Sequence, residues 1–511
     1  VHDLAFCAYP EQDVDATHQE KTTMMDTNYS TFESPQFSIL SQGQINRVFQ
    51  ASLDCLQRTG VEISNQEARD LLEAAGADVE GTRVRIPSHI VQDAIATTPR
   101  SFTIYGRDPR TRMQVTPHHV YFGPGPTCTY FMDPFSGERR KVRRKDPGVT
   151  ARVCDALEHI DYVMSLGLID DVTPSLASVY EFSEMIVNTG KPVLPWAFNL
   201  NHLKDIYQIA LLFTGSEKEF KRRPIFAFFS TWQAPLIHTE DDLANCLWAV
   251  ERGIPVVYAG GGIAGVNAPV TGAGLIVLQL ANTFAGLAIL QLKKRGAPVC
   301  VGGIPSTMDL KSARPTYGGP ELSLYSAALC EIFKHLNLSF MGTAGASDSK
   351  LTDIQAAIES TTQILLSSLS GATLVHDIGF LDCADIGSLD MLIMSDEIIA
   401  MTKRIMQGIE INSDTLMLDL IDDIGPSGEY ISSDETVRRC RKEITHLKLM
   451  DRDPWVVWQE NDSMTMYNRI KQRLHDILEH HEPLPIPEGV EIEIEAILQT
   501  AEEREAKERI G

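Results

Sequence analysis

Val256-Val257-Tyr258-Ala259-Gly260-Gly261-Gly262-Ile263-Ala264-Gly265, written VVYAGGGIAG, is an apolar strand-like run that leads into G-x-G-x-x-G. In a dinucleotide-binding fold such a run ends in a tight turn, and a helix begins at once. An acidic residue about 20 positions on then holds the ribose. Here Pro269 delays any helix, and no Asp or Glu occurs between Glu251 and Asp309. The ribose partner is missing, so a nicotinamide-dependent oxidoreductase is a poor reading of this run.

The neighbouring sequence supplies a better one. Short apolar runs recur at 162–169 (YVMSLGLI), 192–200 (PVLPWAFNL), 224–232 (PIFAFFSTW), 254–262 (IPVVYAGGG), 297–303 (APVCVGG), 338–345 (LSFMGTAG) and 372–379 (ATLVHDIG). Longer helical segments separate them, such as DDLANCLWAVERG, which ends on Gly253. Strands that are apolar on both faces and alternate with helices belong to parallel sheets covered on both sides. Seven runs favour an α/β fold of the (β/α)8 TIM-barrel type over a doubly wound sheet. An eighth strand is expected within 385–394 (DIGSLDMLIM). On this reading the glycines form a turn at the barrel mouth, where they clear space for a large ligand.

Four regions follow: a loose polar tail (1–35), a helical region with β additions and a hairpin (36–150), the barrel (151–430) and a charged helical tail (431–511). Ser41-x-x-Gln44 and Ser64-x-x-Glu67 have capping-box spacing. Asp133-Pro134-Phe135-Ser136-Gly137 lies between two extended pieces and marks the hairpin turn. The basic run from Arg139 to Lys145 is expected to be a solvated strand and turn.

Bulk properties narrow the partners. The 511 residues carry 45 Lys and Arg against 69 Asp and Glu, a formal charge of −24. That disfavours nucleic acid and anionic membrane. Nine scattered cysteines without a C-x-x-C pair argue against bound zinc or a disulfide framework and suit a reducing cytoplasm. The first residues lack the basic and apolar segments of a signal peptide. The long apolar stretch 272–292 is interrupted by Gln279, Asn282, Thr283 and Gln291, so a buried helix is expected there.

Several separated motifs carry a family resemblance. They are ILSQGQINRVFQASLDCLQRTGVEI (39–63), the turn YFGPGPTCTYFMDPFSG, GIAGVNAPVTGAGLIVLQLANTFAGLAILQLKKRGAPVCVGG (262–303), MDLKSARPTYGGPE (308–321) and GTAGASDSKLTDIQAAIES (342–360). Over residues 36–500 the chain resembles the trimethylamine methyltransferase family. The resemblance implies a (β/α)8 barrel, a homo-oligomer, and methyl transfer from a methylated amine to the cobalt of a separate corrinoid protein. Members that use trimethylamine carry pyrrolysine near the sixth strand. The matching neighbourhood here, Gly345-Ala346-Ser347-Asp348-Ser349, holds only standard residues. The chain therefore resembles the non-pyrrolysine branch, which implies quaternary amines, glycine betaine first.

A quaternary ammonium is already cationic and departs as a neutral tertiary amine, so no catalytic acid, base or protein-bound metal is expected. Positioning residues suffice. Aromatic faces hold such cations, and the strand-end candidates are Trp232 above all, then Phe229, Tyr258 and Phe122, with Trp196, Phe198 and Tyr130 behind them. For a substrate carboxylate the donors are His376, Asn199, Thr231 and Gln233. Gly260, Gly261, Gly262, Gly345, Ala346 and Asp348 are the candidates to face the corrinoid, with Lys350 near its entrance. A betaine-binding module without catalysis would use the same residues. Proline betaine, carnitine and γ-butyrobetaine are alternative substrates.

Overall fold

The glycine run is a strand, not a turn. In the computed structural model, which describes residues 35–117 and 119–510, extended backbone continues from Val256 through Ala264. The tail expected before residue 35 and Cys7 lie outside the described residues. Eight strands matter for the site. In chain order they are β1 (Tyr121–Phe122), β2 (Phe228–Gln233), β3 (Val256–Ala264), β4 (Val299–Gly302), β5 (Ile304–Asp309), β6 (Arg314–Thr316), β7 (Phe340–Thr343) and β8 (Leu374–His376).

In the main sheet β2, β3, β4, β7, β8 and β1 lie side by side, each pair parallel. β5 continues beside the upper half of β3 and folds back on β6 as a hairpin. Beyond β1 the Asp161 N–H donates to the Phe122 carbonyl at 2.7 Å. Parallel bridges then join Val163 to Val193 and Val193 to Phe226, just ahead of β2. The architecture is mixed α/β with a predominantly parallel sheet.

Two expectations need correcting. Residues 389–394 are helical, within α3 defined below, and only Ile386–Gly387 is extended, in a separate small sheet. The strand beside β8 is β1, which comes from the region placed before residue 150, so that boundary cuts through the sheet. The apolar run Met391 to Met394 is too short for periodicity to separate strand from buried helix.

The sheet buries both faces. Val257 and Ala259 of β3 join Phe229, Cys300, Met341, Leu374, Leu194, Tyr162 and Met164 in one compact inner cluster. The hairpin Phe102–Tyr105 and Arg112–Val115 adds Ile104, Met113 and Val115 to it. Val256 and Tyr258 point the other way, into the larger core beneath the helices.

Helices cover that outer face. α1 (Gln42–Arg58) starts on the expected capping box, with Ser41 and Gln44 bonded reciprocally. Its buried stripe Ile45, Leu53 and Leu56 faces α2 (Gly272–Lys293), where Phe49 meets Phe284 edge to face at 5.6 Å. α2 is apolar and long enough to cross a membrane, yet 78% of its most apolar window is buried within the fold. The second box is displaced by one residue: Asn65, not Ser64, caps the helix Gln66–Ala74. α3 (Leu389–Met406) follows β8. The final helix, Val490–Ile510, docks on Leu200–Thr214, with Glu505 3.1 Å from His202. The 133–137 turn does form a hairpin, Tyr130–Met132 with Arg139–Lys141. Within the basic run, Arg140 pairs with Asp133 and Asp146, and Arg144 pairs with Glu184 and Glu495.

Candidate functional site

At the carboxyl ends of β2, β3 and β8 lies a cavity of about 410 Å³. Alternation along β2 decides what faces it. Phe229 belongs to the inner cluster, so Thr231 and Gln233 share its side of the strand. All three border the cavity, as do Ala259, Gly260 and Gly261 of β3. Phe228, Ser230 and Trp232 take the opposite side, and Ser230 donates outward to Asp242 at 3.2 Å. Trp232 also borders the cavity, but its side chain packs in the outer core, over Gly260.

β8 ends on the most developed polar group in the cavity. His376 Nδ1 lies 2.6 Å from Asp377 Oδ1, and Thr343 donates to the other oxygen of that carboxylate at 2.6 Å. Asp377 adopts φ +74°, a left-handed conformation uncommon outside glycine. Gly125 leaves room for its carboxylate, because a Cβ there would overlap Asp377 Oδ1 and the Phe380 ring. Three features thus hold the carboxylate against the imidazole. The far nitrogen, His376 Nε2, is buried without a hydrogen-bond partner. A buried polar atom left so is costly unless a ligand satisfies it. Phe229 stands 6.1 Å from the His376 ring, centroid to centroid.

The hairpin of β5 and β6 brings Ile304 and Tyr317 to the cavity. Tyr317 is fixed by its backbone N–H, which donates to Asp348 Oδ1 at 2.7 Å. Burial pushes its phenol well above the ordinary value, and the nearby Asp377 charge reinforces the shift. Asn267, on the loop after β3, holds the Ile263 N–H at 2.6 Å and completes the wall.

The trimethylamine methyltransferase (MTTB) family profile matches residues 11–506. The chain belongs to that family. It is a methyltransferase, like the named relatives that it covers almost end to end. The trimethylamine methyltransferase MttB of Desulfitobacterium hafniense (strain DSM 10664 / DCB-2) is 28% identical over 465 residues, 91% of this chain and 94% of the relative. The MttB of Methanosarcina barkeri (strain Fusaro / DSM 804) is 26% identical, over 93% and 97%. The glycine betaine methyltransferase of Desulfitobacterium hafniense (strain Y51) is 25% identical, over 93% and 98%. Among solved structures, the Methanosarcina barkeri monomethylamine methyltransferase MtmB aligns at TM-score 0.47 and 12% identity, covering 86% of this chain and 89% of its own.

More than half of the residues singled out from the sequence of this methyltransferase lie elsewhere. Tyr258 turns outward: its hydroxyl is 2.7 Å from His238 Nδ1, and its ring fills the space left by Gly286 of α2. Phe122 is likewise in the outer core, with Lys403 5.7 Å from its ring centre. Asn199 caps the helix Leu200–Thr214, accepting from the N–H groups of Asn201 and His202. Gly262 faces Leu275 and Ala268, while Gly345 has φ +77° and abuts Ile378. Ala346 is buried and bonded to Gln363. Asp348 reaches the cavity only through Tyr317. Trp196 meets Phe198 edge to face at 4.5 Å, and its indole N–H donates to Glu181 at 2.9 Å. Burial pushes the Glu181 carboxyl up to about 8.

Sequence reasoning missed Asp377, Tyr317, Asn267 and Ile304. Asp377 directly follows His376, and an acid next to a strand-end histidine was a usable signal. Tyr317 lies inside the quoted stretch 308–321, but nothing in that stretch tells which side chain folds back.

Proposed function

We propose that this methyltransferase removes a methyl group from a quaternary amine, glycine betaine first, and releases a tertiary amine such as dimethylglycine. The carrying observation is an unsatisfied His376 Nε2 in a cavity walled by Phe229 and Tyr317. The two rings receive the ammonium, each contact worth about 0.5–2 kcal/mol according to how dry it is. Asp377 adds a buried negative charge beside them. With Nδ1–H donating to Asp377, His376 takes the carboxylate through Nε2–H as the doubly protonated ring, with Thr231 and Gln233 in reserve. Trp232 supports the wall from behind Gly260.

The surroundings suit a (β/α)8 barrel. Parallel pairings run from 161–163 through 192–194, β2, β3, β4, β7 and β8 to β1, and a hydrogen bond from Asp161 to the Phe122 carbonyl joins the two ends of that order. The inner cluster draws residues from these segments, as a barrel interior does.

A corrinoid carried by a separate protein would supply a Co(I) nucleophile. The cavity rim fits a broad flat group: Gly260 and Gly261 present bare backbone, and nearby loops expose Val266, Val270 and Leu310. The departing amine is neutral and needs no proton. The chain's own task is therefore to align the methyl group and exclude water.

The test is a panel of glycine betaine, proline betaine, carnitine, γ-butyrobetaine, tetramethylammonium and trimethylamine with cob(I)alamin. Loss of Co(I) absorbance and the demethylated amine are read together, and binding is measured separately by calorimetry. Turnover of glycine betaine is expected. Affinity for betaine without any demethylated product would instead favour a betaine-binding module.

A further inference from the structure

Tyr317 reaches the cavity from a point where regular structure stops. The ladder of β5 and β6 ends at Thr316, and the next helix begins at Pro320. A short segment between two such elements owes its shape to whatever bonds its N–H and C=O groups. Side chains do so here. The Tyr317 N–H donates to Asp348 Oδ1 at 2.7 Å, and its carbonyl accepts from Gln363 Nε2 at 2.8 Å. The peptides on both sides of the ring are therefore clipped.

Both clips are anchored in turn. Gln363 is only 3% exposed, and it also donates to the Ala346 carbonyl at 2.9 Å and accepts from the Ala346 N–H at 3.3 Å. Its amide thus uses both N–H groups and the oxygen. The Asp348 N–H donates to Glu359 Oε2 at 2.9 Å, and the same oxygen accepts from the Ser347 hydroxyl at 2.5 Å. Glu359 and Gln363 stand one turn apart on the helix Ile354–Ser370. Residues so spaced share a face, so one helical face holds Ala346, Ser347, Asp348 and, through them, Tyr317. Gly318 permits this approach, because a Cβ there would overlap the Glu359 carboxylate.

We infer that Asp348 and Gln363 are positioning residues that fix the Tyr317 ring at the cavity wall and, on the amine reading of that cavity, set how tightly the ammonium is held. A ring tethered through its own peptides is in place before the ligand arrives, and binding then pays little ordering entropy. The task needs the acceptor oxygen of Asp348 but not its charge. Burial also keeps the Tyr317 phenol protonated well beyond its ordinary range, a property that a ring swung into solvent would lose.

The experiment uses the full chain, with circular dichroism as a fold control, and follows tyrosinate absorbance to about pH 11. Asp348→Ala should gain one tyrosine that ionises near pH ~10, absent when Tyr317→Phe is added. Should Asp348→Ala fail to fold, Gln363→Met carries the same comparison. Tetramethylammonium, followed by calorimetry, should bind Asp348→Ala about tenfold more weakly. Asp348→Asn, which keeps an acceptor and drops the charge, should match wild type in both readouts. In a Tyr317→Leu background Asp348→Ala should cost no further affinity, because the ring that it positions is gone. An unchanged tyrosine titration overturns the inference, as does an asparagine variant as impaired as the alanine one, or an equal loss of affinity in both backgrounds. A wild type that binds no tetramethylammonium, with the titration shifted as expected, overturns the amine reading and leaves the clip standing.

Discussion

The indole of Trp232 packs over Gly260 so closely that any Cβ at that position would come within 2.4 and 2.7 Å of the two carbons shared by its rings and 2.5 Å from the Trp232 carbonyl oxygen. The two residues are register partners on β2 and β3. The glycine is thus required by its neighbour across the sheet, not by a turn. Gly260→Ala should destabilise the fold by about 1–3 kcal/mol through overpacking. It should also weaken amine binding, since the cavity wall moves. Chemical denaturation and calorimetry on the same variant check both effects.

Strand alternation makes a second prediction. Phe229 faces the cavity and Tyr258 faces α2, so equal aromatic truncations should have unequal consequences. Phe229→Ala should cost glycine betaine affinity about tenfold or more, the loss of one cation–π contact in a dry site. Tyr258→Phe should leave that affinity unchanged and cost about 1 kcal/mol of stability, because His238 loses its hydroxyl partner. Titrations of both variants decide whether the phase of β3 is correctly read.

His376 and Asp377 should separate the two ends of the substrate. His376→Asn removes the donor assigned to the carboxylate, so glycine betaine should weaken while tetramethylammonium, which has no carboxylate, is nearly unaffected. Asp377→Asn removes the buried charge and should weaken both ligands. Equal losses for the two ligands in the histidine variant would sink the assignment of its Nε2.

Glu181 predicts a pH dependence of stability that is independent of catalysis. In the folded protein its proton is held to about pH 8, against an ordinary value of 4.5. Between those values the folded state keeps a proton that the unfolded state has lost, so stability falls as pH rises. The slope attributable to this group approaches about 1.4 kcal/mol per pH unit and ends above pH 8. Glu181→Gln keeps the shape and can still accept from the Trp196 indole. Its advantage over wild type should grow from pH 5 to 8 and then level off, as followed by denaturation midpoints.

Much of the fold was legible in the sequence. Of the seven apolar runs, five became regular strands of the parallel sheet, because runs that short, apolar and regularly spaced have few other uses. The runs at 162–169 and 192–200 take part through isolated bridges and backbone hydrogen bonds rather than as regular strands. β1 was not legible as part of the sheet, since two residues carry no periodicity. At the candidate site, Phe229, Thr231, Gln233 and His376 were found because they end predicted strands. Tyr258 and Phe122 failed for one reason: a strand apolar on both faces does not reveal which face is inner. Tyr317 and Asp377 depend on loop geometry that no local pattern encodes.

The pairing of Tyr121 with Leu374 has a consequence for biosynthesis. β1 leaves the ribosome about 250 residues before the strand that completes it, and such distant pairings form slowly. Through most of translation one side of β1 therefore lacks its final neighbour. A nascent chain arrested before residue 374 should bind holdase chaperones, and extending the arrest point past His376 should release it.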